Sequence, residues 1–328
     1  MSSVKPLVPP HRRALPLRVG TRGSPLARAQ TANFLAILRH FCPVLKGMDV
    51  FEEHIITTTG DAVQDRPLAE IGGKGLFAKE IHESLAAGRI DFAVHSLKDL
   101  ETTLPDGITL ACTLKREDAR DVLILPSSHA GFDAADPYGT LPHGATIGSA
   151  SVRRQAQLKH ARPDLNFALL RGNVGTRLAK VESGDFAATL LAYAGLRRLG
   201  LADRASIVLA PETMVPSACQ GIVGITVRSS DVELRAMLSG IEDPEAKAVA
   251  TAERALLATL DGSCRTPIGG YAKLLPDGQL HLTGLVARAD GSFLLKRAVT
   301  GLAEDAARIG YELGASLKAD SPDDIFEP

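Results

Sequence analysis

Short, mainly apolar runs alternate along most of this chain with segments of helical period, and this alternation restricts the fold more than any other feature. A continuous apolar strand needs cover on both faces, which parallel sheets flanked by helices provide. Residues 17–20 form such a run. Ser24 then supplies an N-cap, Pro25 a first helical residue, and Phe34, Ile37, Leu38 and Phe41 fall at i, i+3, i+4 and i+7. Phe77, Ile81 and Leu85 mark a second helix closed by Gly88, and 90–94 reads as a buried strand. A second alternating unit starts near Asp121, with strands at 122–125, 145–147, 167–170 and 188–191 and helices at 151–160 and 174–182. Residues 206–210 lead back, and 222–227 would re-enter the first unit, so that two crossings act as a hinge.

The last third changes character. A helix at 246–260, a Gly-rich turn and alternating runs at 271–275, 280–287 and 293–300 read as an antiparallel meander, which a helix at 303–317 should cover. The fold class is therefore α/β: two open-sheet units plus a smaller α+β C-terminal domain with an antiparallel sheet. Residues 1–16, broken by four prolines and without the apolar core of a signal peptide, read as a disordered tail, and 319–328 as a frayed end. The segment 57–75 is rich in Gly and charge without clear periodicity, as expected of a lid.

Composition removes several function classes. Lys plus Arg total 37 against 38 Asp plus Glu, so no global field draws the chain to nucleic acid or a membrane surface, and an anion site must be local. No stretch has the length and hydropathy of a membrane span. Cys42, Cys112, Cys219 and Cys264 lack CxxC spacing, which favours reduced thiols in the cytoplasm over disulfides or structural zinc. Gly72-Gly73-Lys74-Gly75 lacks the rest of a P-loop, and the nine histidines form no metal motif, so nucleotide and metal chemistry are unsupported.

Three constellations could carry chemistry. Arg153 and Arg154 occupy the first turn of a helix, where the macrodipole disfavours each cation by about 0.3–1 kcal/mol, so another interaction must favour them there. An anion held by those guanidiniums, the backbone N–H groups and the hydroxyls of Ser149 and Ser151 would do so. Arg171, Arg177 and Arg22 stand at further strand-to-helix corners, where open α/β sheets bind ligands. The second constellation is His95-Ser96-Leu97-Lys98-Asp99, whose position at a strand's carboxyl end turns Asp99 toward the crevice, either as a partner of Lys98 or as a group that stabilises a cation or moves a proton. The third is Cys264 in the turn 261–270; a lone Cys is more often inert, but Arg265 beside it would favour thiolate.

These pieces lie in order among others: Thr21-Arg22-Gly23-Ser24-Pro25, Gly73-Lys74-Gly75-Leu76-Phe77, Arg116-Glu117-Asp118-Ala119-Arg120-Asp121, Ser151-Val152-Arg153-Arg154-Gln155, Leu170-Arg171-Gly172-Asn173-Val174-Gly175-Thr176-Arg177, Cys219-Gln220-Gly221 and Ala252-Glu253-Arg254. From about Leu17 to beyond Gly270 the sequence closely resembles the porphobilinogen deaminase, or hydroxymethylbilane synthase, family. The resemblance implies two similar domains around a cleft, periplasmic-binding-protein-like, at 17–118 with 215–240 and at 119–214. A third domain at 241–328 would carry the cofactor cysteine. It implies a monomer that joins four molecules of the small-molecule substrate porphobilinogen head to tail, with loss of ammonia, into hydroxymethylbilane. By position, Cys264 would hold a covalently attached dipyrromethane cofactor, and Asp99 would stabilise the cation left when ammonia departs. Arg22, Ser24, Lys98, Ser149, Ser151, Arg153, Arg154, Arg171 and Arg177 would bind acetate and propionate groups, and Lys74 would belong to an active-site loop.

Four positions depart from the family's usual pattern: Ala119 for Pro, Ala187 for Asp, Cys219 for Gly and Thr226 for Glu. Two rival readings stand beside the family one. A two-lobed carboxylate binder would do no chemistry, and a thiol enzyme would use Cys264 as a recycling nucleophile.

Overall fold

The apolar run that opens the first unit forms β1 (Leu17–Thr21), and Ser24 caps the helix that follows, its Oγ accepting from the Ala27 N–H at 3.2 Å. That helix, α1 (Pro25–Phe41), buries Phe34 edge-on against Phe92 with ring centroids 5.4 Å apart. The computed structural model describes residues 15–46, 49–63, 65–66, 75–129, 131, 133, 135–261 and 266–326. The expected tail at 1–16 lies outside them except for its last two residues, as do 64 and 67–74 of the expected lid.

One strand plan occurs twice. The first sheet runs β2 (Phe51–Ile55), β1, β3 (Phe92–Ser96), β10 (Val223–Arg228), β4 (Ile108–Thr113). The second runs β7 (Asn166–Ala168), β6 (Thr146–Gly148), β8 (Ala188–Ala192), β5 (Asp121–Ile124), β9 (Ile207–Val208). In both, three parallel strands are followed by an antiparallel one and a final strand antiparallel to that. The odd strand arrives last in the first sheet, as β10, and first in the second, as β5. The chain therefore passes between the sheets twice, once from β4 to β5 and once from β9 to β10, as the alternating pattern required.

The helices on these sheets include α2 (Thr59–Ala62), α3 (Lys79–Ala86), α4 (Val152–Ala161), α5 (Val174–Glu182) and α6 (Tyr193–Arg198). After α7 (Val232–Ser239) comes α8 (Pro244–Thr259), capped by Asp243, and then the meander β11 (Ile268–Leu274), β12 (Gln279–Ala287), β13 (Leu294–Leu302). It is closed by α9 (Ala306–Ala319), where Gly310 lets the two helices approach: a Cβ there would fall 2.2 Å from the Ala252 carbonyl oxygen.

Differences from the pattern reading have local causes. Strand β3 begins two residues later than the apolar run at 90–94, because Asp91 folds its carboxylate onto the Arg18 N–H at 2.8 Å and leads into the strand. Strands β2 and β4 escaped the pattern because each is a sheet edge, and β2 in particular exposes Glu52 and Glu53. The segment after α9 is not frayed through residue 326. Arg297 pairs with Asp320 at 2.6 Å, Arg288 with Asp324 at 2.8 Å, and Ile325 and Phe326 pack on the α8–α9 core. Among the described residues no helix is long and apolar enough to cross a membrane.

Two junctions tie the C-terminal unit to the sheets. The apolar one is a continuous core in which Leu97 and Leu100, just beyond β3, pack with Leu256, Leu260 and Ile268. The polar one is an ion pair between Arg116, on the first crossing, and the fully buried Glu253 of α8, at 2.6 Å. Arg116 also donates to the Gln220 and Ala272 carbonyls, and Glu253 accepts from the Cys219 and Ala272 N–H groups. Removing one partner strands the other charge in the interior. Arg116→Ala is expected to lower unfolding free energy by about 3–5 kcal/mol, measured by chemical denaturation; a loss below about 1 kcal/mol would mean that the carboxyl is held neutral or solvated.

Candidate active site

Parallel strands deliver their carboxyl ends to one side of a sheet, and here those ends carry the polar residues of interest. Arg22 follows β1, Lys98 and Asp99 lie in a single 3₁₀ turn (Leu97–Asp99) after β3, Ser149 follows β6, and Arg171 follows β7. Ser24 and Ser151 are N-caps, of α1 and α4, and Ser149 accepts from the Ser151 N–H at 3.1 Å. Asn173 caps α5, whose first turn carries Arg177.

Arg22 is the link between two carboxylates. Its Nε donates to Asp61 at 2.9 Å, its Nη1 lies 3.6 Å from Asp99, and its guanidinium sits 4.2 Å over the Phe77 ring. Arg171, from the second sheet, reaches across to the first and donates to the Gly60 and Arg66 carbonyls, both at 2.9 Å. Burial draws the Arg177 guanidinium down to about 10, helped by the positive charges of Arg154 and Arg171 and opposed by Asp99. Burial likewise lowers Lys98 to about 8; it feels Asp99, Arg154, Asp121 and Arg153. These mutual influences put Lys98, Asp99, Arg153, Arg154, Arg171 and Arg177 within electrostatic reach of one another, and Arg22 beside Asp99.

Arg153 and Arg154 do not stand free at their helix terminus. Both are buried, at 5% and 6% exposure, and both grip Asp121, which is fully buried. Arg153 Nη1 donates to Asp121 Oδ2 at 2.7 Å and to the Val215 carbonyl at 2.6 Å. Arg154 Nη2 donates to Oδ1 at 2.7 Å and its Nη1 to the Leu190 carbonyl at 2.8 Å. Burial opposes the charge on Asp121, yet the two guanidiniums hold its carboxyl well below the usual range. Asp121 is the interaction that offsets the unfavourable dipole.

Pattern reasoning passed over Asp121 and Gln220 as site-building residues. The Gln220 amide donates to Asp121 Oδ1 at 2.9 Å and to the Ala119 carbonyl at 2.7 Å, and its oxygen accepts from Lys98 Nζ at 3.2 Å. It thus joins the Asp99 turn to the arginine pair. Both residues sit in the motifs quoted above, but a carboxylate and an amide inside strand and turn give no signal until their partners are known. Cys264, Arg265 and Lys74 lie outside the described residues.

Chemically, the cluster offers several cations whose partners are neutral oxygens. Among the described residues Arg177 and Lys98 pair with no carboxylate: Arg177 Nε donates to the Gly172 carbonyl, and Lys98 to the Gln220 amide. Such a donor set fits a ligand bearing several carboxylates, as a dipyrromethane with acetate and propionate arms does.

Comparison with known proteins agrees. The family model for the porphobilinogen deaminase dipyrromethane cofactor binding domain matches residues 17–236, and that for the porphobilinogen deaminase C-terminal domain matches 247–319. The chain belongs to the porphobilinogen deaminase family. A porphobilinogen deaminase of Paracoccus denitrificans is 45% identical over 95% of this chain and 96% of its own length. One of Nitrobacter winogradskyi is 46% identical over 94% of each. Among solved structures, a double mutant of the BvgS VFT2 domain of Bordetella pertussis aligns over 72% of this chain and 91% of its own, at 16% identity and a TM-score of 0.40. Porphobilinogen deaminases are hydroxymethylbilane synthases, transferases of tetrapyrrole synthesis, and their dipyrromethane is attached through a cysteine.

Against that family pattern two departures acquire a structural meaning. Cys219 replaces Gly where the backbone is left-handed, φ 61°, a conformation that glycine adopts freely and other residues at a cost. Its thiol is buried at 2% exposure and pushed by burial up to about 12, which suppresses thiolate. Thr226, in place of Glu, hydrogen-bonds the buried His95 Nε2 at 2.9 Å, beneath the Asp99 turn and 5.6 Å, ring to ring, from His82.

Burial holds His95 near 3, below the usual imidazole value, so the folded state resists a proton that the unfolded chain accepts. Stability from this group is complete above the unfolded value near 6.5 and is lost as pH falls toward 3, at up to about 1.4 kcal/mol per unit. His95→Asn is expected to flatten the fall of melting temperature between pH 6.5 and 4; a wild-type slope retained in that variant would assign the acid sensitivity elsewhere.

Proposed function

We propose that this chain joins four porphobilinogen molecules head to tail, releasing ammonia at each addition and, by reaction with water, hydroxymethylbilane at the end, as a cytoplasmic monomer built of domains at 17–118 with 215–240, at 119–214 and at 241–328. The observation that carries this reading is the carboxylate Asp99 facing a cluster of cations, of which Lys98 and Arg177 pair with no carboxylate among the described residues. A substrate that brings two carboxylates and generates positive charge on reaction needs both halves of that arrangement.

Cys264 would hold the dipyrromethane, which when bound supplies the pyrrole end on which the chain is extended. The carboxylate arms would be held by Arg22, Lys98, Arg153, Arg154, Arg171 and Arg177, with hydroxyls from Ser24, Ser149 and Ser151 and with Lys74 on the covering loop. Arginine suits this work because its planar fork pairs both oxygens of a carboxylate. As the substrate's protonated amine leaves the methylene with the C–N bonding pair, as ammonia, positive charge spreads over the methylene and the pyrrole. Asp99 accepts from the pyrrole N–H and stabilises that charge, while Arg22 fixes the carboxylate's direction from 3.6 Å. The dipyrromethane end held from Cys264 would supply the carbon nucleophile for that methylene, beside the Asp99 carboxylate. In a water-poor site one fixed charge of this kind contributes about 3–4 kcal/mol, as a single oxyanion-hole donor does with opposite sign. A partner that is a small molecule rather than nucleic acid or membrane accords with the balance of 37 basic and 38 acidic side chains.

Intact mass spectrometry of the denatured protein, purified from a host that makes porphobilinogen, should give the sequence mass plus two pyrrole units, and Cys264→Ser should remove the excess. A wild-type mass equal to the bare chain would overturn the covalent attachment. Asp99→Asn should fold, load the cofactor and lose about 10²- to 10³-fold in kcat, read as ammonia release; near-normal turnover would remove its assigned role.

A further inference from the structure

Helix α8 reaches the Asp99 turn directly. Arg254 Nη2 donates to the Glu101 carbonyl at 2.7 Å and to the Thr102 carbonyl at 2.9 Å, the second and third residues beyond Asp99. The guanidinium is partly drawn from water, and burial lowers its pKa. Among the described residues it pairs with no carboxylate. A desolvated cation committed to two backbone carbonyls is a costly way to fasten a loop unless the loop's position matters.

Position is what this helix controls. Glu253, the preceding residue, grips the crossing through Arg116 and the Cys219 N–H, so neighbouring side chains hold the hinge and the Asp99 turn to one rigid element. Leu97 and Leu100, on either side of Lys98 and Asp99, are buried at 1% and 5% in the core that Leu256 and Leu260 complete. Beyond Leu260 the chain runs four residues to Cys264.

We propose that Arg254 is a positioning residue for the reaction: it fixes the Asp99 carboxylate relative to the end of α8, and so relative to the pyrrole chain anchored just past that end. The inference rests on the assignment of Asp99 and Cys264 above. Removing the two hydrogen bonds leaves the anchor and the carboxylate in place but lets the turn shift, and a displacement near one ångström in a site of this kind costs about 10- to 100-fold in rate.

The test is a double-mutant cycle on cofactor-loaded enzyme, following ammonia release. Arg254→Leu should load the dipyrromethane normally by mass, keep KM within about threefold and lose about 10- to 100-fold in kcat. In an Asp99→Asn background the same change should cost less than about threefold further, because the group that it positions is already gone. Arg254→Lys, which keeps a cationic donor on this helix, should recover most of the rate, and it carries the test if the leucine variant does not fold. Equal losses in the two backgrounds would make Arg254 a general structural residue and overturn the proposal, as would full activity of Arg254→Leu. Near-normal turnover of Asp99→Asn alone would instead bring down the Asp99 assignment itself, so the two failures are told apart.

Discussion

A single buried carboxylate makes the rest of the site possible. Asp121 stands at the start of β5 with no exposed surface, and Arg153, Arg154 and the Gln220 amide all converge on its two oxygens. Without it, two guanidiniums in a helix's first turn would repel one another, oppose the macrodipole and lose hydration together. With it, the pair carries one net positive charge in a fixed place. Because β5 is also the strand by which the chain enters the second sheet, the constraint that holds the arginines is the one that fixes the crossing.

The two crossings and the C-terminal unit form a second level of constraint. Gln220 lies on the return crossing and ties Asp121 in the second sheet to Lys98 beyond the first. Arg116 lies on the outward crossing and ties Gln220 and Ala272 to Glu253. Gly221, at φ 89°, belongs to this knot for steric reasons: a Cβ there would come 2.2 Å from the Glu117 carbonyl oxygen. The C-terminal unit shares a broad apolar core with the first sheet's Leu97, Leu100 and Ile222. Its contact with the second sheet's unit is narrower, through Ala156 and Val215 against Leu285 and Ala287. Relative motion between the sheets would therefore bend the crossings while leaving Asp99 and α8 together.

Much of this was legible in the sequence because it depends on local rules. The N-cap Ser24 and the meander after α8 follow from short-range patterns and were found within one to three residues. Strands β2 and β4 were missed because an edge strand need not be continuously apolar. The ordered end at 319–326 was misread because its stability comes from Arg288 and Arg297 on a distant hairpin, which no local signal reports. The site divides the same way. The corner arginines and Asp99 lie in the turns where the pattern put them, their roles resting on the proposal above, whereas Asp121 and Gln220 matter only through partners far along the chain.

The cations of the cleft differ in what they must give up to bind a carboxylate. Arg153 and Arg154 already pair with the buried Asp121, so a carboxylate there would share them with it. Arg22 is paired with Asp61, so a ligand there competes with an existing ion pair. Arg171, Arg177 and Lys98 rest on neutral oxygens, those of Gly60 and Arg66, Gly172 and Gln220. A carboxylate adds the attraction of a full negative charge to the hydrogen bond that a neutral oxygen offers, so exchange at these three favours the ligand. For Arg171 the exchange also releases a contact between the sheets, since both of its acceptors belong to the first sheet's unit and the arginine to the second. A carboxylate that took that guanidinium would therefore break one tie between the two sheets' units.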